Sequence, residues 1–406
     1  MRQEVETLQI GAGRRWLVLA SVISSRIVYS TNWFNISPAL LLIARDLRVD
    51  LPALGVLTSS FLLGAGIFQV PAGIMAARWG PKNTAQLGML ILSLSAIGEG
   101  LSVNFPMIVA SRFLLGLGAA LFFAPAIGVL TPLFREEEEG FVIGLYNGAF
   151  NIGGGLGLFA WALVIQALDW RAGLVLGGVI GLIVTAIGQV VVPKDIVLPE
   201  RRGAMRMAMK SRNVWLIAVG VIGLWGGIFT TSQFLHSYLE TVFLIPTALA
   251  GLMASLIMFS SIIGGPVGGH LSDRFRQRKV FILVPGLGAS IGLAVIGLSQ
   301  PGGLWFNSLW FLIPVVGFLD AMVFTTMYAS ARQYPEVGRQ YAPLAISIMN
   351  SAHILGSFGI PIAFTLLVSA YNYSAGWFFL GGLAISLMLL IFLLEEPFRA
   401  NSKALG

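Results

Sequence analysis

The sequence predicts an all-α membrane protein with twelve transmembrane helices, arranged as two pseudo-symmetric six-helix bundles. Three observations predict it. Twelve apolar runs of roughly 20 residues punctuate the chain, each long enough to cross a hydrocarbon core about 30 Å thick. Of the 406 residues, 56% are hydrophobic and only 11% are charged, whereas a soluble domain carries about 25% charged residues. A short loop also occurs twice, about half the chain apart: Gly73-Ile-Met-Ala-Ala77-Arg78-Trp-Gly80-Pro-Lys82 and Gly269-His-Leu-Ser-Asp273-Arg274-Phe-Arg-Gln-Arg278-Lys279. A duplicated loop at half-chain spacing marks an internal repeat of the membrane unit.

The spans of the first half lie at about 16–44, 53–76, 84–103, 107–130, 141–167 and 172–192. Those of the second half lie at about 213–239, 248–271, 280–300, 308–330, 342–368 and 376–394. Between the sixth and seventh is the one extended polar stretch, 193–212, with Lys194, Arg201, Arg202, Arg206, Lys210 and Arg212. The expected organisation is therefore a bundle over 1–192, a linker over 193–212 and a second bundle over 213–406. Met1 to Arg15 is polar and mixed in charge, so no cleaved signal peptide is expected.

With both termini in the cytoplasm, all but five of the 25 Lys and Arg fall on the cytoplasmic side. The five are Arg45, Arg48 and Arg171 in outer loops or helix ends, and Arg26 and Arg112 within spans. This is the positive-inside pattern. It accounts for the net charge of +7 without a nucleic-acid partner. The expectation is a multi-pass monomer in the lipid bilayer of the cell membrane.

Composition and spacing also exclude chemistry. There is no cysteine and there are only three histidines, and no metal set has plausible spacing. No nucleophile–base pair, P-loop or dinucleotide fingerprint is present, so neither an enzyme nor an ATP-driven pump is expected, and no cofactor. The glycine clusters at 153–157, 264–269 and 116–118 sit inside spans, where small residues let helices approach closely.

The motifs resemble those of the major facilitator superfamily over nearly the whole chain. The duplicated loop looks like the family's signature between its second and third, and eighth and ninth, helices. Arg112-Phe-Leu-Leu-Gly116-Leu-Gly118-Ala-Ala120 resembles the fourth-helix motif, and Asp169-Trp170-Arg171 an outer-loop tripeptide. The resemblance implies two bundles rocking about a central cavity lined by the first, fourth, seventh and tenth helices. It also implies a cytoplasmic gate carried here by Gly73, Arg78, Lys82, Gly269, Asp273 and Arg274. Ala77 stands where the family has its loop acid, which Asp273 keeps in the second copy. The first latch is then weaker, or uses an acid from 136–139. The glycines after Asn147 and Asn151 lack the proline of the family's antiporter motif, which argues against a drug/proton antiporter.

Charges inside the bilayer are costly and usually face a cavity or a partner. Arg26 lies mid-span with Tyr29, Ser30 and Trp33 at helical spacing, and a guanidinium fork suits a carboxylate, nitrate or phosphate. Asp320 is the acid deep in the tenth span. It fits a proton carrier that competes with substrate for Arg26, and equally a static bridge to Arg26. Arg112, with Glu99 as partner, fits coupling or an interfacial bridge. Gln233, His236, Asn350 and His353 are candidate substrate contacts, although a lone histidine on a glycine-rich helix is more often a packing donor.

These readings together predict a secondary transporter. Its cargo would be a small organic or inorganic anion, moved by alternating access and coupled to protons. The substrate set would be Arg26, Tyr29, Trp33, Gln233, His236, Asn350 and His353, and the proton set Asp320, Arg112 and Glu99. An exporter of lipophilic cations would instead expose Asp320 and mask Arg26. A non-transporting receptor or scaffold would have a collapsed cavity with no polar lining.

Overall fold

Asp and Asn side chains start four of the helices that follow loops on one face of the bundle. Asp50, Asn104, Asp169 and Asn372 each accept from a backbone N–H three residues on, at 2.7–3.1 Å. Such caps satisfy amides that lipid cannot. This face is called the far face below, and the opposite one, which carries Arg78, Arg274 and Lys279, the basic face. The computed structural model describes residues 12–193, 211–299, 301, 305–331, 333–334 and 338–398. The expected linker, apart from its ends, lies outside the described residues.

The helices of the first half are α1 (Ala12–Phe34), α2 (Leu40–Asp46), α3 (Leu51–Trp79), α4 (Pro81–Gly100), α5 (Phe105–Leu130), α6 (Glu136–Ala167) and α7 (Trp170–Val191). Those of the second are α8 (Arg212–Gly220), α9 (Ile222–Phe243), α10 (Thr247–Phe275), α11 (Arg278–Ile296), α12 (Trp305–Ala331), α13 (Gly338–Gly356), α14 (Gly359–Ala370) and α15 (Tyr373–Met388). Among the described residues eleven helical stretches are long and apolar enough to cross a membrane, and α4 completes twelve. Ile183, Ile263 and Phe311 are among the large apolar side chains exposed on the outside of the bundle, which fits a lipid-facing surface rather than a wet one.

Three spans expected to be continuous are broken. The first is interrupted at Ser37–Ala39, with Pro38, the seventh at Val221, and the eleventh between Gly356 and Gly359. Hydropathy cannot register such breaks, because the residues at them remain apolar or small. The mid-span glycines do serve close packing. A Cβ on Gly116 would collide with the Phe61 carbonyl of α3, and one on Gly264 with the Phe318 carbonyl of α12. Gly80, at φ 91°, makes the turn from α3 to α4, a conformation that glycine adopts without a steric cost.

The halves meet along two seams. Gly154 and Gly155 of α6 face Met258 and Phe259 of α10, while Gly55 and Gly66 of α3 face Pro361, Thr365 and Leu355 of α13 and α14. On the far face the seams are tied across. Ser37 Oγ donates to the Gln233 carbonyl at 2.7 Å, and Gln233 Nε2 donates to the Trp33 carbonyl at 3.1 Å. Phe229 stacks on Phe61 at 6.0 Å. At mid-bundle Ser351 Oγ donates to Gly66 O at 3.1 Å. Among the described residues none of these ties joins α5 to α12. These ties close the far face.

Candidate transport site

Arg26 projects from the middle of α1 into a box of four rings. Its Cζ lies 4.5 Å from the centroid of Tyr29, 4.9 Å from Phe123, 4.5 Å from Tyr146 and 4.7 Å from Phe150. Tyr29 lies one turn along α1, Phe123 comes from α5, and Tyr146 and Phe150 lie one turn apart on α6. The rings attract the cation through their faces, and the Tyr29 hydroxyl lies within hydrogen-bonding reach of its fork. Arg26 is 4% exposed, and its Nε and Nη1 are buried without a partner.

Across the interface, α12 carries Asp320, 9% exposed, whose Oδ1 is also buried without a partner. No ion pair joins it to Arg26, so the static bridge allowed by the sequence is not formed. Tyr328, two turns along α12, lies within electrostatic range of both Arg26 and Asp320. Its hydroxyl donates to Asn350 Oδ1 at 3.0 Å. His353, one turn beyond Asn350 on α13, is fully buried; neither ring nitrogen makes a full hydrogen bond, although the Met349 backbone lies within reach. It packs on Trp225 at 4.9 Å and on Phe324 at 5.7 Å.

The structure thus brings Arg26, Tyr29, Asp320, Asn350 and His353 to one region between the halves. Trp33 lies at its far-face end, against Tyr29 at 5.2 Å and Phe61 at 4.4 Å. Two other candidates sit elsewhere. Gln233 sits at the closed far face, where its Nε2 donates to Trp33 O and its Oε1 is buried without a partner. His236 turns toward α10, with Nε2 3.1 Å from Thr247 O and Nδ1 3.6 Å from Glu240, so it does not line the cavity. Ser30, the third member of the Arg26 stripe, bonds to the carbonyls of Arg26 and Ile27. The lining draws on the fifth and eleventh spans as well as the first, fourth, seventh and tenth. Sequence reading missed Phe123, Tyr146, Phe150, Phe324 and Tyr328.

Arg112 and Glu99 do pair, at 3.4 Å, and both are fully buried. Asp320 is therefore not the only deeply buried acid. Arg112 Nη1 also donates to Asn32 O at 3.1 Å, and Nη2 to Trp33 O. These carbonyls end α1, where a cation is favoured by the helix dipole. Trp33 O is the same acceptor that Gln233 reaches from the other half. The pair lies behind α1, and among the described residues it makes no contact with Arg26 or Asp320.

On the basic face the two loop copies differ. Arg278 donates to Ser272 Oγ and pairs with Asp273, and its Nε bonds Gln333 at 3.1 Å. The Glu396 carboxylate accepts from the backbone N–H groups of Arg278 and Lys279 at 2.9 and 3.0 Å, capping α11. In the first copy Lys82 Nζ donates to Gln189 O and Val192 O, at the end of α7, while Arg78 is exposed. Glu138, one of the acids expected to replace the missing one, is held by Arg15 at 2.9 Å and does not serve the loop. Gly73 and Arg274 are exposed, and Gly269 packs near Thr325. Asp273 is 64% exposed, so its pair contributes at most about 1 kcal/mol of stability. Asp273→Asn is expected to slow transport more than Ala77→Asp does, with little change in thermal unfolding; initial-rate uptake by the two variants checks it.

Comparison with known proteins places the chain. The Major Facilitator Superfamily model matches residues 22–342, and the chain belongs to that superfamily. It is similar to the probable sulfoacetate transporter SauU of Cupriavidus necator, 22% identical over 401 residues, covering 91% of this chain and 89% of that one. It is also similar to the nitrite extrusion protein of Bacillus subtilis, 23% identical over 367 residues, covering 88% and 89%. Among solved structures, a bacterial homologue of the human lysosomal transporter Spinster, in its inward-facing, unoccupied conformation, superposes with a TM-score of 0.76. The identity is 15%, and 98% of each chain is covered. That likeness shows the fold.

Proposed function

We propose that this protein carries a small anion across the cell membrane by alternating access, with the anion bound to Arg26 and a proton carried by Asp320. One observation carries the reading. A buried guanidinium with two unpartnered donor nitrogens lies within electrostatic range of the second half at Tyr328, and among the described residues it makes no ion pair. A charge left unpaired in the membrane is costly, and an incoming anion removes that cost with charge-assisted hydrogen bonds. The relatives named for sulfoacetate and for nitrite, both anions, support the same reading. The basic face is then the cytoplasmic one, both termini lie there, and the far-face ties close the outer side.

Asp320 supplies the coupling. An anion on Arg26 adds negative charge near Asp320, which favours proton uptake, while departure of the anion lets the carboxyl ionise toward Arg26. Loading and proton binding then support one another, which is symport. The form with Arg26 masked and Asp320 exposed, expected of a lipophilic-cation exporter, is not the one observed, since both groups are buried.

A thermal-shift screen of purified protein against carboxylates, nitrate, sugars and cationic dyes tests the anion site. Stabilisation by anions, lost in Arg26→Ala, is expected; stabilisation by cationic dyes alone would sink the reading. For coupling, Asp320→Asn is expected to bind anion but no longer accumulate it on a pH gradient in vesicles. Undiminished accumulation would remove Asp320 from the mechanism.

A further inference from the structure

The space between Arg26 and His353 is bounded by rings along two routes. One runs from Phe150 to Phe34 at 6.0 Å, to Phe229 at 6.4 Å, to Trp225 at 5.7 Å, and so to His353. The other runs from Tyr328 to Phe324 at 6.2 Å and on to His353. Phe150, Trp225, Phe324 and Tyr328 are only half-buried, so part of each ring faces open space. The first route crosses from the first half to the second; the second lies wholly in the second half and begins at Tyr328, within electrostatic range of Arg26.

The two ends of that space are chemically unlike. Arg26 offers donors only. His353 offers one donor and one acceptor when neutral, and neither makes a full hydrogen bond although the ring is fully buried and the Met349 backbone lies within reach. Asn350, one turn away, accepts at its Oδ1 from the Tyr328 hydroxyl. Buried polar groups in proteins are as a rule partnered, so an imidazole left with neither nitrogen satisfied points to a ligand group that completes it. An inorganic oxyanion satisfies Arg26 alone and leaves His353 bare. A polyhydroxylated sugar acid would press several hydroxyls against aromatic faces that offer them no partner.

We propose that the site selects a ring-bearing carboxylate with a hydroxyl at its far end: the carboxylate on Arg26, the ring between the aromatic walls, and the hydroxyl on His353. This rests on the anion reading above and narrows it. A planar ring meets the walls by offset or edge-to-face contact. The hydroxyl gives and takes one hydrogen bond, as a neutral imidazole does. A site built to bond a hydroxyl rejects the analogue lacking it, because its own polar group is then left unpaired.

The probes are 4-hydroxybenzoate, benzoate, nitrate and gluconate, tested as competitors of radiolabelled 4-hydroxybenzoate uptake into proteoliposomes. The wild-type protein is expected to need roughly 10- to 100-fold more benzoate than 4-hydroxybenzoate for half-inhibition, and more again of nitrate or gluconate. His353→Phe is expected to bring the first ratio close to one by losing the hydroxyl, not the carboxylate. His353→Asn, which keeps a donor and an acceptor, is expected to retain part of the preference. Arg26→Gln is expected to lose both aromatic acids. Equal competition by the two aromatic acids in the wild type, or stronger competition by nitrate or gluconate, overturns this proposal while the anion site stands. No uptake or competition by any of the four, with Arg26→Gln indistinguishable from wild type, overturns the anion site itself.

Discussion

Arg26→Gln is expected to abolish anion transport and leave the fold standing. A charged hydrogen bond is worth about 1.5–3 kcal/mol, so removing the fork weakens anion binding about 100-fold. The unliganded protein is a different matter. Among the described residues Arg26 makes no ion pair, and two of its donor nitrogens are buried and unmet, so its charge is a cost to the folded state that the four rings only partly offset. The variant is thus expected to unfold at the same temperature as wild type or higher, and to lose the stabilisation that anions give. Uptake and thermal unfolding measured on the same preparation check both halves of the expectation. A large drop in unfolding temperature would mean that Arg26 holds the bundle together.

Arg112→Ala is expected to do the reverse. Arg112 is fully buried against Glu99 and donates to the last carbonyls of α1. Truncation leaves the Glu99 carboxylate buried and unpaired, which typically costs 3–5 kcal/mol. It also frees the Trp33 carbonyl that Gln233 shares from the other half. The single variant should unfold far below wild type or fail to purify. The double variant Arg112→Met with Glu99→Leu should recover much of that loss, since an apolar pair of similar size avoids the desolvation cost. Thermal unfolding of the single and double variants measures it, and an Arg112→Ala protein as stable as wild type would contradict the assignment.

These two arginines show how much the sequence could tell. Both stood out because a charge in an apolar run is expensive. The partner of Arg112 was legible as well, because Glu99 closes the neighbouring span and a short loop fixes the two helix ends side by side. The surroundings of Arg26 were not. Helical spacing names neighbours on the same helix, so Tyr29 was visible, whereas Phe123, Tyr146 and Phe150 come from helices about 100 residues away. The same limit hid the turn of His236 toward Thr247 and the place of Gln233 at the far-face closure. The fold itself was legible because twelve apolar runs and a duplicated loop are properties of the chain alone. The breaks at Ser37–Ala39, Val221 and Gly356 were not, because hydropathy averages over them.

The basic loops carry a similar lesson. The missing acid at Ala77 pointed to an asymmetric gate, and the side-chain arrangement is asymmetric: Arg278 binds Asp273, Ser272 and Gln333, while Arg78 is exposed. Glu396 and Gln333, which complete the second copy, lie far from it in sequence and became visible only in three dimensions. Glu138 looked available to the first copy, yet Arg15 holds it.

The most direct test of the anion site is a structure determined with a carboxylate bound. The expected result places the carboxylate oxygens within hydrogen-bonding distance of Arg26 Nε and Nη1, between Tyr29, Phe150 and Tyr328. A carboxylate seated elsewhere, with the Arg26 fork still unpartnered, would contradict it.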